Sequence, residues 1–159
     1  MNLQETSGSV RSALIIGNIR KANELSSKPY SIEGIVVHGN QLGKTLGFPT
    51  ANIELPENQP LLICLGVYLV KARIGSEIFR GIANVGNRPT VDGTTVKIEV
   101  HLFDFDRDIY GMNLRACFLD RLRDEKQFSG LAALKEQIKL DKERALALFS
   151  SCNYPDPDP

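Results

Sequence analysis

The sequence predicts an all-β core, either a barrel or a sandwich, closed by one long C-terminal helix. Segments rich in Val, Ile, Tyr, Phe and Thr recur along the middle of the chain, and Gly, Pro, Asn or Asp separate them. After Arg123 the apolar residues change from strand spacing to helical spacing. A chain of 159 residues holds one such core plus an appendage and is too short for two cores.

Two short helices are predicted before the first strand. Apolar residues recur at helical spacing at Val10, Leu14, Ala22 and Leu25. The pattern breaks at Gly17, and Asn18 can cap a second helix. Residues 26–29 then read as a linker, because Pro29 cannot continue a helix. We therefore assign residues 1–28 to a helical linker that precedes the core.

Residues 29–150 form the predicted core domain, with five or six strands followed by the helix. The five clearest strand segments are Ser31–His38, Gly66–Ile74, Glu77–Val85, Thr94–Phe103 and Asn113–Leu122. The helical stripe consists of Leu131, Leu134, Ile138, Ala145 and Leu148. Ser129 and Gly130 offer a start for this helix. The last residues, 151–159, contain three prolines and no periodicity, so we expect a disordered tail.

The charge balance limits the classes of partner. Nineteen basic residues against nineteen acidic ones leave no positive excess, which argues against nucleic acid or a membrane surface as a partner. The longest apolar run, Leu61–Leu65, is far shorter than a membrane span. Three scattered cysteines and a polar N-terminus without a signal-peptide pattern favour a cytoplasmic protein with reduced thiols.

The densest motif is VHGNQLGKTLGFPTAN, residues 37–52, in which Gly39, Gly43 and Gly47 fall at four-residue intervals. Glycines let a backbone approach a phosphate closely, and Lys44 adds a positive charge. The motif is not a Walker P-loop, because only three residues separate Gly39 from Gly43 and because Pro49 interrupts any following helix. A mobile glycine-rich surface loop is the alternative interpretation.

Thr50 and Asn52 follow this motif two residues apart, so in an extended segment both side chains point to the same face. Their neutral oxygens can help to hold Mg²⁺ when phosphate oxygens and water complete the coordination shell. A turn or a cap is the alternative reading of Thr-x-Asn.

Glu99 lies in a segment with strict alternation. Apolar residues at Val96, Ile98, Val100 and Leu102 define one face, so Lys97, Glu99 and His101 project from the other. Glu99 is therefore a carboxylate held by a well-anchored strand and a candidate general base. A solvated strand face with a neighbouring charge is the alternative for Glu99. For His101 we expect a structural role.

Four motifs in order carry a family resemblance: G-x-V-V-H-G-x-x-x-G-K-x-L-G-F-P-T-A-N, G-I-A-N-V-G-x-R-P-T, I-E-V-H-L-F-D-F-D and L-R-D-E-K-x-F. Over residues 30–148 the chain resembles the riboflavin kinase family, and most of all the C-terminal kinase module of the bacterial bifunctional riboflavin kinase/FMN adenylyltransferase, or FAD synthetase. The resemblance implies a six-stranded antiparallel Greek-key barrel with a long C-terminal helix. It also implies ATP and riboflavin as substrates, ADP and FMN as products, and Mg²⁺ as cofactor.

The resemblance assigns roles residue by residue. Thr50 and Asn52 match the Mg²⁺ ligands, and Glu99 matches the catalytic base that accepts the ribityl hydroxyl proton. Gly39 and Lys44 match the flap over the nucleotide. The resemblance also places Arg123 and Phe128 over the flavin ring and Asn84, Asn87 and Arg88 in a loop between the two substrates.

Residues 6–14 resemble the end of the adenylyltransferase module, with Gly8 in place of a threonine. Residues 1–28 can thus be a remnant of that module, which is a possible partner in a parent protein. The nucleotide-binding half that precedes this segment in the family is not part of this sequence, so we expect no adenylyltransferase activity from it.

Two rival functions differ in class. A barrel that binds single-stranded nucleic acid would need a basic groove with stacking aromatics, and this chain has no Trp and 7% aromatic residues. A noncatalytic flavin- or nucleotide-binding barrel would be expected to lack Thr50, Asn52 or Glu99, and all three are present.

Overall fold

The computed structural model of this chain describes residues 8–159. Residues 1–7, which carry part of the expected module remnant, lie outside the described residues. The strands are β1 Ser31–Val37, β2 Ala51–Glu54, β3 Gly66–Ile74, β4 Glu77–Thr90, β5 Gly93–Leu102 and β6 Asn113–Arg123. The helices are α1 Gly8–Ile15, α2 Ile19–Leu25, α3 Leu42–Thr45 and α4 Leu131–Ser151.

The six strands close into one antiparallel barrel in the order β1-β2-β5-β4-β3-β6. Strands β3, β4 and β5 form a meander, and β6 returns to pair with β3 on its free side. The resulting order β6-β3-β4-β5 is a Greek key. The predicted six-stranded Greek-key barrel, with short N-terminal helices and a long C-terminal helix, is confirmed.

Alternating residues divide the apolar side chains between two cores. Inward-facing residues of every strand fill the barrel, among them Val36, Ile53, Val70, Val85, Val100 and Phe118. A second cluster lies between the outer face of the barrel and α4, and it includes Leu69, Ile82, Leu119 and Ala145. Helix α4 covers one part of the outer wall. Polar residues beside the helix are therefore shielded from solvent although they lie outside the barrel.

The N-terminal helices follow the sequence prediction closely. The chain turns at Gly17 with φ +81°, and the side-chain oxygen of Asn18 accepts a hydrogen bond from the Lys21 amide. Asn23 fastens α2 to the barrel, since its side-chain amide donates to the Phe118 carbonyl oxygen and its oxygen accepts from the Tyr30 amide, each at 2.8 Å.

Two local features differ from the sequence prediction. Residues 51–54 form the sixth strand of the predicted barrel, whereas residues 42–45 form a one-turn helix inside the glycine-rich motif. Strand β4 continues five residues past Val85, pairing with β5 up to Thr90 opposite Gly93. Asn84, Asn87 and Arg88 therefore lie on a strand of a long hairpin and not in a loop. Pro89 is tolerated there because the end of this hairpin projects beyond the barrel.

The C-terminal tail makes several polar contacts with the barrel and the linker. Lys71 donates to the Tyr154 carbonyl oxygen at 2.7 Å and pairs with Asp156 at 2.8 Å. Arg73 donates to the Pro157 carbonyl oxygen at 2.7 Å, and Lys28 pairs with Asp158 at 3.0 Å. The prolines prevent a helix, but the aspartates between them match a row of cations on β3 and the linker. The tail is thus held along the barrel by charge and not by periodicity.

Candidate active site

Three polar side chains form a row across neighbouring strands on the outer wall of the barrel. Asn52 of β2 pairs in register with Glu99 of β5, and Glu99 pairs in turn with Asn84 of β4. Residues directly opposite each other in antiparallel strands project to the same face, with Cβ atoms about 4.5–5.5 Å apart. The alternation that buries Ile98 and Val100 inside the barrel turns this row outward.

Glu99 has charged and aromatic neighbours on its own strand. Lys97 Nζ lies 2.7 Å from Glu99 Oε1, and both side chains are about one quarter exposed (22% and 24%). On the other side, His101 is buried, and its Nδ1 lies 2.7 Å from the carbonyl oxygen of Pro49. The outer face of β5 therefore presents an ion pair and an anchored imidazole in one line.

A cavity of about 210 Å³ opens over this face, and we call it the central cavity. Its floor is formed by β4 and β5, with Asn84, Lys97, Glu99 and His101. Phe48 and Thr50 line it from the glycine-rich segment, and Phe128, Leu134 and Ile138 line it from the C-terminal side. The cavity therefore combines apolar walls with charged groups, which are Lys97 and Glu99 on its floor and Arg123, Lys126 and Asp141 on its C-terminal side. Mostly apolar walls with a few polar groups are typical of a small-molecule site.

The glycine-rich segment, residues 37–50, folds back over one end of the row. Gln41 and Gly47 have positive φ values of 57° and 85°, and the Phe48 amide donates to the Gly43 carbonyl oxygen at 2.8 Å. Thr50 lines the central cavity and also a second cavity of about 300 Å³, the flanking cavity, which Lys44 borders as well. The far wall of the flanking cavity includes Asp106, Arg107, Asp108 and Tyr110.

The surroundings of Asn52 suit a metal ligand better than an amide with a purely structural role. Its Oδ1 is buried and has no hydrogen-bond partner among the described residues. Gly39 stands directly against this side chain, and a Cβ at Gly39 would overlap the Asn52 amide. A buried oxygen that accepts no hydrogen bond lowers the stability of the fold. The position of Asn52 Oδ1 is therefore consistent with binding of a cation that prefers oxygen ligands, such as Mg²⁺. No cluster of three or more His, Cys, Asp or Glu side chains suited to a metal occurs in residues 8–159.

Comparison with known proteins decides the family. The family model for riboflavin kinase, named Flavokinase, matches residues 26–149. This chain belongs to the riboflavin kinase family. The curated bifunctional riboflavin kinase/FMN adenylyltransferase of Haemophilus influenzae is 46% identical over 147 residues, which are 92% of this chain and 47% of the relative. The protein of the same name from Bacillus subtilis is 41% identical over 149 residues, again 92% of this chain and 47% of the relative.

The chain therefore spans about half the length of the curated relatives it matches. Among solved structures, riboflavin kinase from Trypanosoma brucei has a TM-score of 0.54 at 25% identity, covering 77% of this chain and 78% of that chain. A Streptococcus pneumoniae chain described as a macrolide-efflux protein has a TM-score of 0.82 at 38% identity, covering 89% of this chain and 46% of that chain. No helix in residues 8–159 of the present chain has the length and apolar character needed to cross a membrane.

The site residues that the family resemblance predicts fall into three groups in space. Thr50, Asn84, Glu99, Arg123 and Phe128 line the central cavity. Thr50 and Lys44 line the flanking cavity. Asn52 lies next to Gly39 and shares a third depression with Arg88 and Lys97. Thr50 lines both the central and the flanking cavity, and Lys97 lines both the central cavity and the third depression, so the central cavity adjoins the other two.

Arg123 makes an ion pair that the sequence analysis does not predict. Its guanidinium donates to both carboxylate oxygens of Asp141 on α4 at 2.9–3.0 Å, and Gln137 donates to the same carboxylate at 2.9 Å. Asp141 is only 5% exposed. The ring of Phe128 lies 5.7 Å from the Arg123 guanidinium carbon. Arg123 thus joins the end of β6 to α4 and holds Phe128 at the cavity wall.

Asn87 contributes through its backbone. Its amide donates to Glu125 Oε1 at 3.1 Å, and Glu125 packs against Gly86, where a Cβ would overlap the carboxylate. Glu125 precedes Phe128 in the segment after β6, so this contact ties that segment to the β4–β5 hairpin. The Asn87 and Arg88 side chains themselves are exposed.

The sequence does not reveal two residues that shape the site, Asp141 and Glu125, because a single acid on a helix or in a loop is normally solvated. His101 lies on the strand face of Glu99, as the alternation predicts, and its buried ring and its contact with the Pro49 carbonyl oxygen fit the structural role expected for it.

Proposed function

We propose that this chain transfers the γ-phosphoryl group of ATP to the terminal ribityl hydroxyl of riboflavin, giving FMN and ADP. The observation that carries the proposal is the position of Glu99, on the floor of the central cavity and directly paired with Asn52. Membership of the riboflavin kinase family supports the proposal, because Glu99 and Asn52 would supply a base and an oxygen ligand side by side.

The two cavities would each accommodate one substrate in this proposal. The flanking cavity, with Lys44 and Thr50 at its border, suits the nucleotide, because an ammonium group and a hydroxyl can meet phosphate oxygens there. The central cavity, with Phe128, Leu134 and Ile138 on its walls, suits the flavin ring. Thr50 borders both cavities, so the γ-phosphoryl group and the acceptor hydroxyl would meet near it.

Glu99 accepts the proton in this scheme. As the hydroxyl oxygen forms its bond to the γ-phosphorus, the O–H bond breaks and the proton passes to the Glu99 carboxylate, while the bond between the γ-phosphorus and the β,γ-bridging oxygen breaks and ADP departs. Lys97 keeps the carboxylate oriented through its 2.7 Å ion pair. Phe128 and the apolar face of α4 limit access of water, which could otherwise accept the phosphoryl group.

Thr50 and Asn52 would hold Mg²⁺ together with phosphate oxygens. The buried, unpartnered Asn52 Oδ1 supports this assignment, as does the absence of a side chain at Gly39. When bound, the ion would neutralise negative charge on the phosphate groups.

A chromatographic assay tests the proposal. The chain is incubated with riboflavin, ATP and Mg²⁺, and the products are separated. We expect FMN to accumulate. Absence of FMN, with both substrates shown to bind, would instead favour the noncatalytic flavin- or nucleotide-binding barrel.

A further inference from the structure

His101 is the most deeply buried ionisable side chain bordering the central cavity apart from Asp141. It is 6% exposed, and its ring lies edge-on to Phe48 and Phe103 at centroid distances of 5.6 and 5.7 Å. Its Nε2 is buried and has no hydrogen-bond partner among the described residues. A buried nitrogen of this kind is unfavourable unless something else binds to it.

The hydrogen bond at the opposite nitrogen determines what Nε2 can do. The Pro49 carbonyl oxygen can only accept, so His101 Nδ1, 2.7 Å away, must carry the hydrogen. Burial lowers the pKa of His101, the Pro49 carbonyl acts in the opposite sense, and Lys142 adds to the lowering. In the neutral ring with hydrogen on Nδ1, Nε2 carries a lone pair and acts as an acceptor.

The charged groups around the ring are already engaged. On its own strand, Glu99 pairs with Lys97. Asp141 from α4 pairs with Arg123 from β6. Lys142 of α4 lies with its ammonium 5.4 Å from the centre of the Phe103 ring. His101 lines the central cavity, and its Nε2, which is closed off from solvent, has no hydrogen-bond partner among the described residues.

We propose that His101 Nε2 accepts a hydrogen bond from riboflavin bound in the central cavity. This inference rests on the proposed function, because it takes riboflavin as the ligand of that cavity. His101 does not border the flanking cavity, where the nucleotide is placed. Riboflavin offers two kinds of donor, the imide N–H of its ring system and the hydroxyls of its ribityl chain.

Two substitutions separate the two nitrogens of the ring. In His101→Asn the shorter side chain can still donate to the Pro49 carbonyl but offers nothing at the position of Nε2. In His101→Gln the amide reaches the Nε2 position and can present its oxygen there. Calorimetric titration of riboflavin should show binding weakened about threefold to tenfold in the Asn variant, the scale of one neutral hydrogen bond. The Gln variant should recover part of that loss, and ATP affinity should be unchanged in the Asn variant.

Lumiflavin, which keeps the imide N–H but lacks the ribityl chain, distinguishes the donors. If the ring imide is the donor, His101→Asn should weaken lumiflavin and riboflavin equally. If a ribityl hydroxyl is the donor, only riboflavin should be affected. If the Asn variant binds both flavins as tightly as the wild-type chain does, the inference is overturned.

Nitrogen NMR of the unsubstituted chain tests the same point without any risk of misfolding. The chain has two histidines, so His38→Gln assigns the remaining imidazole signals to His101. We expect Nδ1 to be protonated and Nε2 unprotonated, with the Nε2 resonance shifting when riboflavin is added and not when ATP is added. A protonated Nε2, or a resonance that riboflavin leaves unmoved, would refute the inference. If wild-type protein fails to bind riboflavin at all, the proposed function fails with it, whereas FMN formation with an unaffected Nε2 removes only the role of His101.

Discussion

Asn52 on β2 and Glu99 on β5 are directly opposed in the barrel wall, so the proposed metal ligand and the proposed base lie side by side on one outward face. Their separation is set by the spacing between two hydrogen-bonded strands, about 4.8 Å, and not by a loop. The row continues to Asn84 on β4. Placing chemistry on paired strands keeps its geometry precise, because the hydrogen-bonded backbone leaves little room for movement.

Gly39 leaves space for the Asn52 side chain because glycine has no side chain. In Gly39→Ala the new methyl group would overlap the Asn52 amide, so we expect an overpacking cost of about 1–3 kcal/mol in the free energy of unfolding and a loss of turnover. Chemical denaturation and the FMN assay measure the two effects.

Two companion variants check the cause of this loss. Gly130→Ala should cost less than about 1 kcal/mol, because nothing lies within 4 Å of a Cβ there and its φ of −178° is ordinary extended backbone, which leaves only the lower preference for Ala at the N-cap of α4. The double variant Gly39→Ala/Asn52→Ala should regain stability but not turnover. If the double variant is no more stable than Gly39→Ala alone, the overlap with Asn52 is not the source of the cost.

Local periodicity was enough to predict the chemical face of β5. The alternation from Val96 to Leu102 placed Lys97, Glu99 and His101 on one side, and the barrel confirms that arrangement. The helix break at Gly17 and the cap at Asn18 were equally local and equally clear. In each case the deciding interactions lie within a few residues, where sequence patterns carry the most information.

The remaining features depend on residues far apart in the chain. The extension of β4 to Thr90 depends on pairing with β5. Pro89 and the polar residues around it do not predict a strand. The C-terminal tail contacts a basic side chain of β3 that lies more than 80 positions earlier in the chain. The burial of Asp141 follows from Arg123, eighteen residues before it. Such pairings become visible only once the topology is known.

Lys97 should matter more for turnover than for stability. In Lys97→Met the carboxylate of Glu99 loses the partner that orients it, and we expect turnover to fall about threefold to tenfold. The free energy of unfolding should change by less than about 1 kcal/mol, as is usual for partly exposed ion pairs. Lys97→Arg keeps the charge and should remain near wild-type turnover. Steady-state kinetics at saturating substrates measure the effect, and unchanged turnover in the Met variant would rule out an orienting role.

The Arg123–Asp141 pair should be a stability element of the site. Arg123→Ala leaves Asp141 buried without its main partner, so the free energy of unfolding should fall by about 3–5 kcal/mol. Adding Asp141→Asn should recover part of this loss, since a neutral amide is easier to bury than a lone carboxylate. Urea denaturation of the two variants provides the comparison. Equal stability of the single and double variants would show that the cost does not arise from an unpaired Asp141.

His101 should produce a pH dependence of stability just below neutrality. Its pKa in the folded chain is below the ordinary value of 6.5, mainly because of burial, so between these two values the unfolded chain binds more protons. The free energy of unfolding should therefore fall as the pH is lowered through this window and should gain nothing above it. Hydrogen bonds from Arg115 lower the pKa of Glu33, and Lys28 lowers that of Asp158, so these two acids titrate at more acidic pH.

Denaturation at several pH values between 5 and 7 tests this expectation. His101→Asn should flatten the slope. A slope that persists in the His101 variant would mean that another group is responsible.

Glu99→Gln offers the most direct test of the central claim that Glu99 is the base for phosphoryl transfer to riboflavin. Glu57, an exposed glutamate in a turn, provides the matched control as Glu57→Gln. The measurement is the rate of FMN formation at saturating ATP, riboflavin and Mg²⁺, with binding of both substrates verified by calorimetry. We predict a fall of about 100-fold or more in Glu99→Gln with ATP binding nearly intact, and no change in Glu57→Gln. Turnover of Glu99→Gln close to that of the wild-type chain would contradict the account.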